Sequence, residues 1–335
     1  MPRYLKNLLP LIAFAALLGQ IPCDAQTLKW FRGNTHTHTN NSDGDSSPDD
    51  VVKWYRSKGY NFVVITDHEY ITPVEPLNDL LGKTGAFLII SGQEVTDRVK
   101  SVPYHMNGLG LTRVVMPAGR DDPVATLQAN IDAISKAGGL PQLNHPNFGW
   151  ALTAPQIRQL EGVFLMEIAN AHPLVNNHGG GGLPSVEEIW DQLLTVGKVI
   201  YGIADDDSHT FKRPGDRTAA LPGQAWVSVR APELTSEAIL AAMKKGDFYG
   251  STGVELDDIA FDGKALTVNI KPARGRLHRT EFIGSGGKVL AVSDSARAVY
   301  TARGDEGYLR ARITDSNGLR AWTQPVFLRP FLRKK

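Results

Sequence analysis

The sequence predicts an α/β fold, a parallel sheet covered by helices on both faces, followed by a small antiparallel β-segment. Three observations lead there. From about residue 28 to 250, short and nearly continuous apolar runs alternate with amphipathic stretches of helical spacing, the pattern of strands buried on both faces. Polar residues able to bind metal or carry protons gather where those apolar runs end. After about residue 254 the texture changes to short alternating segments separated by "SGG" and "SNG" turn signals.

The elements follow in order. Residues 1–25 have a basic start (Arg3, Lys6), an apolar run "LLPLIAFAALLG" and small residues up to Ala25. This is the layout of a cleaved export signal, too short for a span of roughly 20 residues. Cleavage near Ala25 places the mature chain outside the cytoplasm, secreted or periplasmic, with no stable membrane anchor. Cys23, the only cysteine, leaves with the signal, so neither a disulfide nor a thiolate ligand remains. Without Arg3, Lys6 and Asp24, the 36 basic and 35 acidic residues fall to 34 each. A neutral chain has no electrostatic footprint for duplex nucleic acid or an anionic membrane.

A helix is expected over 48–58, with Ser47 as N-cap, Pro48 at its first position and Gly59 just past its end. "YNFVVITDHE" (60–69) and "AFLIISGQE" (86–94) read as buried strands. "PVATLQANIDAISKAGG" (123–139) reads as a helix stopped by glycine, and "LPQLNHP" (140–146) as strand and turn. "GVFLMEIAN" (162–170) is a further strand. "SVEEIWDQLLTVG" (185–197) opens with a capping box, Ser185 to Glu188, and "VIYGIADDDSH" (199–209) closes the series. The expected divisions are a signal over 1–25, a metallohydrolase unit over 26–253 and a β-sandwich-like unit over 254–335.

The strand ends carry His36, His38, Asp43, His68, Glu94, His105, His145, Asp207 and His209, including six of the nine histidines. Carboxyl ends of parallel strands open onto one face, where separate loops converge. Imidazole and carboxylate without thiolate suit Zn, Mn or Fe as divalent ions. In an extended chain residues i and i+2 point the same way, so His36 and His38 can clamp one ion, and Asp207 and His209 share the same spacing. Asp67 should point away from His68 and play a supporting part. Asp205 and Asp206 are candidate partners that orient imidazoles, and Glu167 is a strand residue able to reach the cavity. His172 and His178 lie in a long glycine-rich loop, and His278 lies in the C-terminal segment.

In this order, "HTHTNNSDG", "VVITDHE", "SGQE", "HMNGLG", "NHP" and "DDSH" resemble the PHP (polymerase and histidinol phosphatase) family of metal-dependent phosphoesterases, over about 34 to 250. The stretch "GQAWVSV…LTSEAILAAMKKGDFYGSTG" resembles the branch that includes carbamate-insecticide hydrolases and many exported proteins. The resemblance implies a distorted (β/α)7 barrel with two to three divalent metal ions. By that pattern His36, His38, Glu94 and Asp207 hold the first ion, and Glu94 bridges to a second completed by His105 and His145. Asp43, His68 and His209 hold the third, with Asp45 close enough to Asp43 to compete for the place. The implied reaction is hydrolysis of a small phosphomonoester or phosphodiester by an ion-activated water, with Glu94, Asp207 and His209 as catalytic candidates and His209 or another group as the acid for the leaving oxygen. A carbamate, ester or amide hydrolase would use the same centre, and a non-catalytic metal-binding module is the reading of another class.

Overall fold

The computed structural model describes residues 27–328; the expected export signal lies outside the described residues. The chain runs β1 (Lys29–Asn34), α1 (Pro48–Ser57), β2 (Phe62–Ile65), α2 (Glu75–Leu81), β3 (Leu88–Val99), β4 (Val102–Leu109), α3 (Pro123–Lys136) and β5 (Leu140–Leu143). It continues through α4 (Ala154–Gln159), β6 (Leu165–Asn170), α5 (Val186–Thr195), β7 (Tyr201–Asp205), β8 (Trp226–Ala231), α6 (Ser236–Lys245) and β9 (Phe248–Ser251). Eight short strands complete it: β10 (Leu256–Phe261), β11 (Ala265–Ile270), β12 (His278–Gly284), β13 (Lys288–Ser293), β14 (Arg297–Thr301), β15 (Tyr308–Asp315), β16 (Arg320–Thr323) and β17 (Val326–Phe327).

Local chemistry sets the helix boundaries. The Ser47 side chain accepts the Asp50 N–H ahead of Pro48, and Gly59 takes φ +76° beyond the last turn. Ser185 and Glu188 form the capping box of α5, each side chain bonding the other's backbone N–H.

The main sheet is mixed rather than parallel throughout. Strands β1, β2 and β3 pair in parallel, as do β5, β6 and β7. Between them β3 and β4 form a hairpin across Lys100 and Ser101, and β4 runs antiparallel to β5. A connection of two residues cannot return a strand in parallel, which requires a crossover of a dozen residues or more. Strand β8 joins β1 antiparallel, and the hydrogen-bonded path continues through β9 and β16 into β15, β12 and β13. The ladder therefore stays open and does not close into the expected seven-stranded ring. The β1 and β7 ends meet through one isolated bridge, Thr37 to Ser208, in which the His38 N–H donates to the Ser208 carbonyl at 2.9 Å.

The sheet curls enough that one face forms an interior. Val64 of β2, Ile90 of β3, Leu109 of β4, Leu140 of β5, Leu165 of β6, Ile203 of β7 and Val227 of β8 share one apolar cluster, plugged from below by Ile239 and Met243 of α6. Each fully buried side chain of this kind contributes about 1.5–3 kcal/mol. Gly33 is required there, because a Cβ at that position would overlap the Phe62 ring. Two residues further along the same faces, the side chains turn polar: Gln142 after Leu140, Glu167 after Leu165, Asp205 after Ile203. An apolar plug thus carries a buried polar layer. Helices α1 and α2 cover the β2–β3 side, and α3, α4 and α5 cover the other.

The C-terminal strands form a second layered unit. Sheet β10–β11–β14 packs Leu266, Val268 and Ile270 against Phe282, Leu309 and Ile313 of β12 and β15. Arg310, fully buried, ties this unit to α5 through Asp191 Oδ2 at 2.7 Å and Glu187 Oε1 at 2.8 Å, with Tyr308 donating to Asp191 Oδ1 at 2.6 Å. Arg310→Ala leaves the buried Asp191 carboxylate without its cation, while Glu187 keeps Arg312, and is expected to cost about 3–5 kcal/mol. A comparison of urea midpoints with the parent chain checks this; a cost below about 1 kcal/mol would mean the clamp is solvated.

Candidate metal centre

The nine residues meet at one rim, although Glu94 and His105 lie inside strands that run on past them rather than at strand ends. His36 and His38 follow β1, and the alternation of the strand continues past its end. Both imidazoles point inward with ring centroids 5.1 Å apart, while Thr37 between them turns outward to Tyr55 and Ser208. Asp43 stands on the turn that follows, His68 after β2, Glu94 within β3, His105 within β4, His145 after β5, and Asp207 and His209 after β7. His172 stands beside them, its ring centroid 5.5 Å from that of His209. His278 lies on β12, away from the cluster.

Glu94 is the hub. It is 1% exposed, and both of its oxygens face imidazoles. Oε2 lies 3.0 Å from His36 Nε2, 3.1 Å from His38 Nε2 and 3.5 Å from His68 Nδ1. Oε1 lies 3.0 Å from His105 Nδ1 and 3.4 Å from His145 Nε2. Asp207 Oδ1 sits 3.2 Å from His36 Nε2 and 3.4 Å from His38 Nε2. Asp43 reaches His38, His68 and His209 at 3.4–3.5 Å.

Donor atoms fall into groups whose members all lie within 4.8 Å of one another: His36, His38, Glu94 and Asp207; Glu94, His105 and His145; His38, Asp43, His68 and His209. A further such group, His36, Glu167 and Asp205, lies deeper. Asp45 is not among them, since its carboxylate accepts the N–H groups of Phe211 and Lys212.

The donor set fits divalent cations on two counts. First, several rings are pinned by their far nitrogen. His36 Nδ1 meets Glu167 Oε1 at 2.6 Å, His68 Nδ1 meets Thr96 Oγ1 at 2.6 Å, and His209 Nδ1 donates to the Asp207 carbonyl at 2.8 Å. For His36 and His209 the oxygen partner places the proton on Nδ1 and leaves Nε2 facing the carboxylates, whereas the Thr96 hydroxyl can donate or accept and orients the His68 ring without choosing its tautomer. Second, the buried His38 Nε2 has no hydrogen-bond partner among the described residues, although it faces two carboxylates. His209 Nδ1 is spent on the Asp207 carbonyl, which leaves Nε2, 3.4 Å from Asp43 Oδ1, as the nitrogen open to a proton or an ion.

The electrostatics show how much positive charge the cluster requires. Burial alone lowers an imidazole pKa, yet in His36 the carboxylates of Asp207, Glu94 and Glu167 outweigh it and hold the pKa well above 6.5. The same contest, won chiefly by Glu94 and Asp43, lifts His68 to about 9, and His145 and His209 also rise. In His105 burial wins over Glu94 and the pKa falls. Burial would raise the carboxyl of Glu94, but His36, His105 and His68 pull it well below the ordinary range. Asp207 is lowered similarly, chiefly by His36 and His38, and Asp43 by His209 and His68.

Sequence reasoning underweighted the layer beneath. Glu167 anchors His36 by Nδ1 and accepts the His145 N–H at 2.6 Å. Asn144 donates to Glu94 Oε1 at 2.8 Å and to Asn107, whose own amide donates to the Thr35 carbonyl. Gln142 donates to Glu167 and Asp205. Burial, then the Glu167 carboxylate, push Asp205 well above the usual carboxyl range. The signal for these residues was the period-2 step Leu165–Glu167 and Ile203–Asp205–Asp207, polar groups on the face of an otherwise buried strand.

Asp67 turns from the imidazoles to the turn at 39–42, accepting from Thr39, Ser42 and Thr72. Asp206 also turns away, accepting the N–H groups of Gly223, Gln224 and Ala225. Asp207 and His209 do not form the parallel pair expected from their spacing. Strand β7 ends at Asp205 and Asp207 takes a left-handed φ of +47°, so strand alternation does not carry through, although the two side chains lie 3.7 Å apart and both face His38. Such a conformation costs of order 1–3 kcal/mol.

Among known proteins, no family model and no curated protein matches this chain. Solved structures do. A two-domain protein from Bacteroides vulgatus, containing a predicted PHP-like metal-dependent phosphoesterase, shares 15% identity at a TM-score of 0.51, over 89% of this chain and 95% of that one. An amidohydrolase from Chromobacterium violaceum with bound sulfate and no metal shares 14% identity at a TM-score of 0.40, over 55% of this chain and 89% of that one. The first likeness is one of fold along nearly the whole length of both chains.

Two outcomes test the centre. Glu167→Gln weakens the anchor on His36 and is expected to lower metal affinity about 10–100-fold, read by competition with a chromogenic chelator; an unchanged affinity would remove Glu167 from the ligand support. Because the raised imidazoles must lose protons to bind a cation, affinity for Zn²⁺ should climb from pH 6 to 9 with proton release, read by calorimetry in two buffers of different ionisation enthalpy. In the metal-free chain the same raised pKa values contribute stability below pH 6.5 that is lost as pH rises through about 9, so metal should stabilise most at the alkaline end.

Proposed function

We propose that this chain is an exported, metal-dependent phosphoesterase of the PHP type that hydrolyses a small phosphomonoester or phosphodiester at a centre of two to three divalent ions. The observation that carries the reading is Glu94. A single buried carboxylate offers one oxygen to His36, His38 and His68 and the other to His105 and His145, an arrangement suited to bridging two cations. His36, His38, Glu94 and Asp207 would hold one ion, Glu94, His105 and His145 a second, and Asp43, His68 and His209 a third. Divalent ions held there supply a water of lowered pKa and offset charge on phosphoryl oxygens.

The chain's own residues do the rest. Glu167, Thr96 and the Asp207 carbonyl fix the imidazole orientations, and Asn144 holds the Glu94 carboxylate between the two sets of imidazoles. We further propose that residues 26–253 are the hydrolytic unit and 254–335 a β-sandwich-like accessory unit, and that residues 1–25 direct the chain to the periplasm or outside the cell.

The test pairs metal content with turnover. Mass spectrometry of the protein after incubation with Zn²⁺, Mn²⁺ or Fe²⁺ is expected to find two to three ions per chain. Such protein should hydrolyse p-nitrophenyl phosphate or bis-p-nitrophenyl phosphate, and His36→Ala, with its fold intact by circular dichroism, should lose at least a hundredfold in kcat/KM. Brisk turnover of a naphthyl carbamate without any phosphate-ester activity would reassign the chain to carbonyl hydrolysis on the same centre. Metal binding with neither activity would make it a binding module.

A further inference from the structure

A cleft of about 1730 Å³ opens beside the metal centre, far larger than a phosphoryl group needs and beyond the usual range of about 300–1,000 Å³ for small-molecule pockets. One wall is the segment from Asn170 through His178 and Gly182 into α5. The other is the C-terminal β-unit, with Arg310, Arg312, Arg320 and Trp322.

Two residues belong to both the cleft and the metal centre. Asn170 lines the cleft and donates Nδ2 to Glu167 at 2.8 Å and Asp207 at 3.1 Å. His172 lines it beside His209. Its Nδ1 accepts the Leu174 N–H at 3.2 Å, so the neutral ring carries its proton on Nε2 and is a donor there.

At the far end the lining has three guanidinium groups and three carboxylates, Glu187, Glu188 and Asp191. Arg310 and Arg312 are paired to Glu187 at 2.8 and 3.1 Å, and Arg320 lies 3.8 Å from it. Arg310 is fully buried behind this wall, so a ligand in the cleft meets the partly exposed guanidinium groups of Arg312 and Arg320. A second phosphate or carboxylate on a ligand would have to displace acids already holding these arginines. A hydroxyl both donates and accepts, so it can join an arginine to its carboxylate without separating them.

We propose that this cleft binds the part of the substrate beyond the scissile bond, and that this part is an uncharged polyol or sugar. Its hydroxyls bridge Arg312 and Arg320 to Glu187, while the His172 Nε2–H donates to an oxygen at the junction with the metal centre. The chemistry at the scissile bond rests on the phosphoesterase reading; the binding does not.

The experiment has a binding arm and a turnover arm. In the first, saturation-transfer NMR of the full chain without added metal uses glucose as the probe. Saturable glucose signals are expected, reduced at least fivefold by Gln192→Trp, which fills the cleft from the exposed face of α5, and by Arg320→Ala. In the second, the metal-loaded protein is compared on glucose 6-phosphate and phenyl phosphate. The ratio of the two kcat/KM values should fall at least tenfold in both variants, through KM. Absence of glucose binding sensitive to these substitutions overturns the cleft, whatever the turnover, as does a preference for fructose 1,6-bisphosphate over glucose 6-phosphate. Sensitive glucose binding with no phosphate-ester turnover supports the cleft and overturns the phosphoesterase reading instead.

Discussion

The buried carboxylate of Glu94, ringed by five imidazoles, sets the terms for the rest of this molecule. Taking an isolated carboxylate out of water costs several kcal/mol, and here Asp207, Glu167 and Asp205 are buried beside it. Such a group of acids is stable only if positive charge accompanies it. In the metal-free chain that charge comes from protons on His36, His68, His145 and His209, whose pKa values the acids hold up. Cations and protons thus compete for the same lone pairs, and the site is poised between them.

The fold serves this constraint through alternation. Along β5, β6 and β7 an apolar residue of the lower cluster is followed two positions later by Gln142, Glu167 or Asp205. The apolar plug excludes water from below, which strengthens every interaction in the polar layer. Backbone ties then fix the rim. The Thr37–Ser208 bridge holds the β1 and β7 ends together without a full ladder, and Asp45, Asp67 and Asp206 spend their carboxylates on loop N–H and hydroxyl groups. The unclosed ladder leaves β8 free to extend the sheet through β9 into β16, which places the C-terminal unit against α5 and builds the second wall of the large cleft.

Much of this was legible in the residues. The caps at Ser47 and Ser185 fix helix starts by local hydrogen bonding, and the short segments at 62–65, 140–143 and 201–205 read as buried strands between helices. Some features were not. The antiparallel placement of β4 depends on a turn of two residues inside a polar stretch, where no hydrophobic signal marks it. Glu167 looked like one acid in a strand, and only its 2.6 Å approach to His36 from a strand 131 residues away gives it a purpose. Asp206 and Asp207 are neighbours with the same side chain, yet one is spent on the N–H groups of a loop and the other faces the cluster.

The sequence by itself determined the elements, the alternation that makes one face of the sheet polar near its rim, and the types of donor available, because these depend on local propensity and on period. Only the tertiary structure decided which donors share a centre, that Asp43 rather than Asp45 faces it, that the ladder stays open, and that the C-terminal unit walls a cleft. Those outcomes are set by contacts between segments far apart in the chain, where a few ångströms separate a ligand from a bystander and no local pattern encodes the distance.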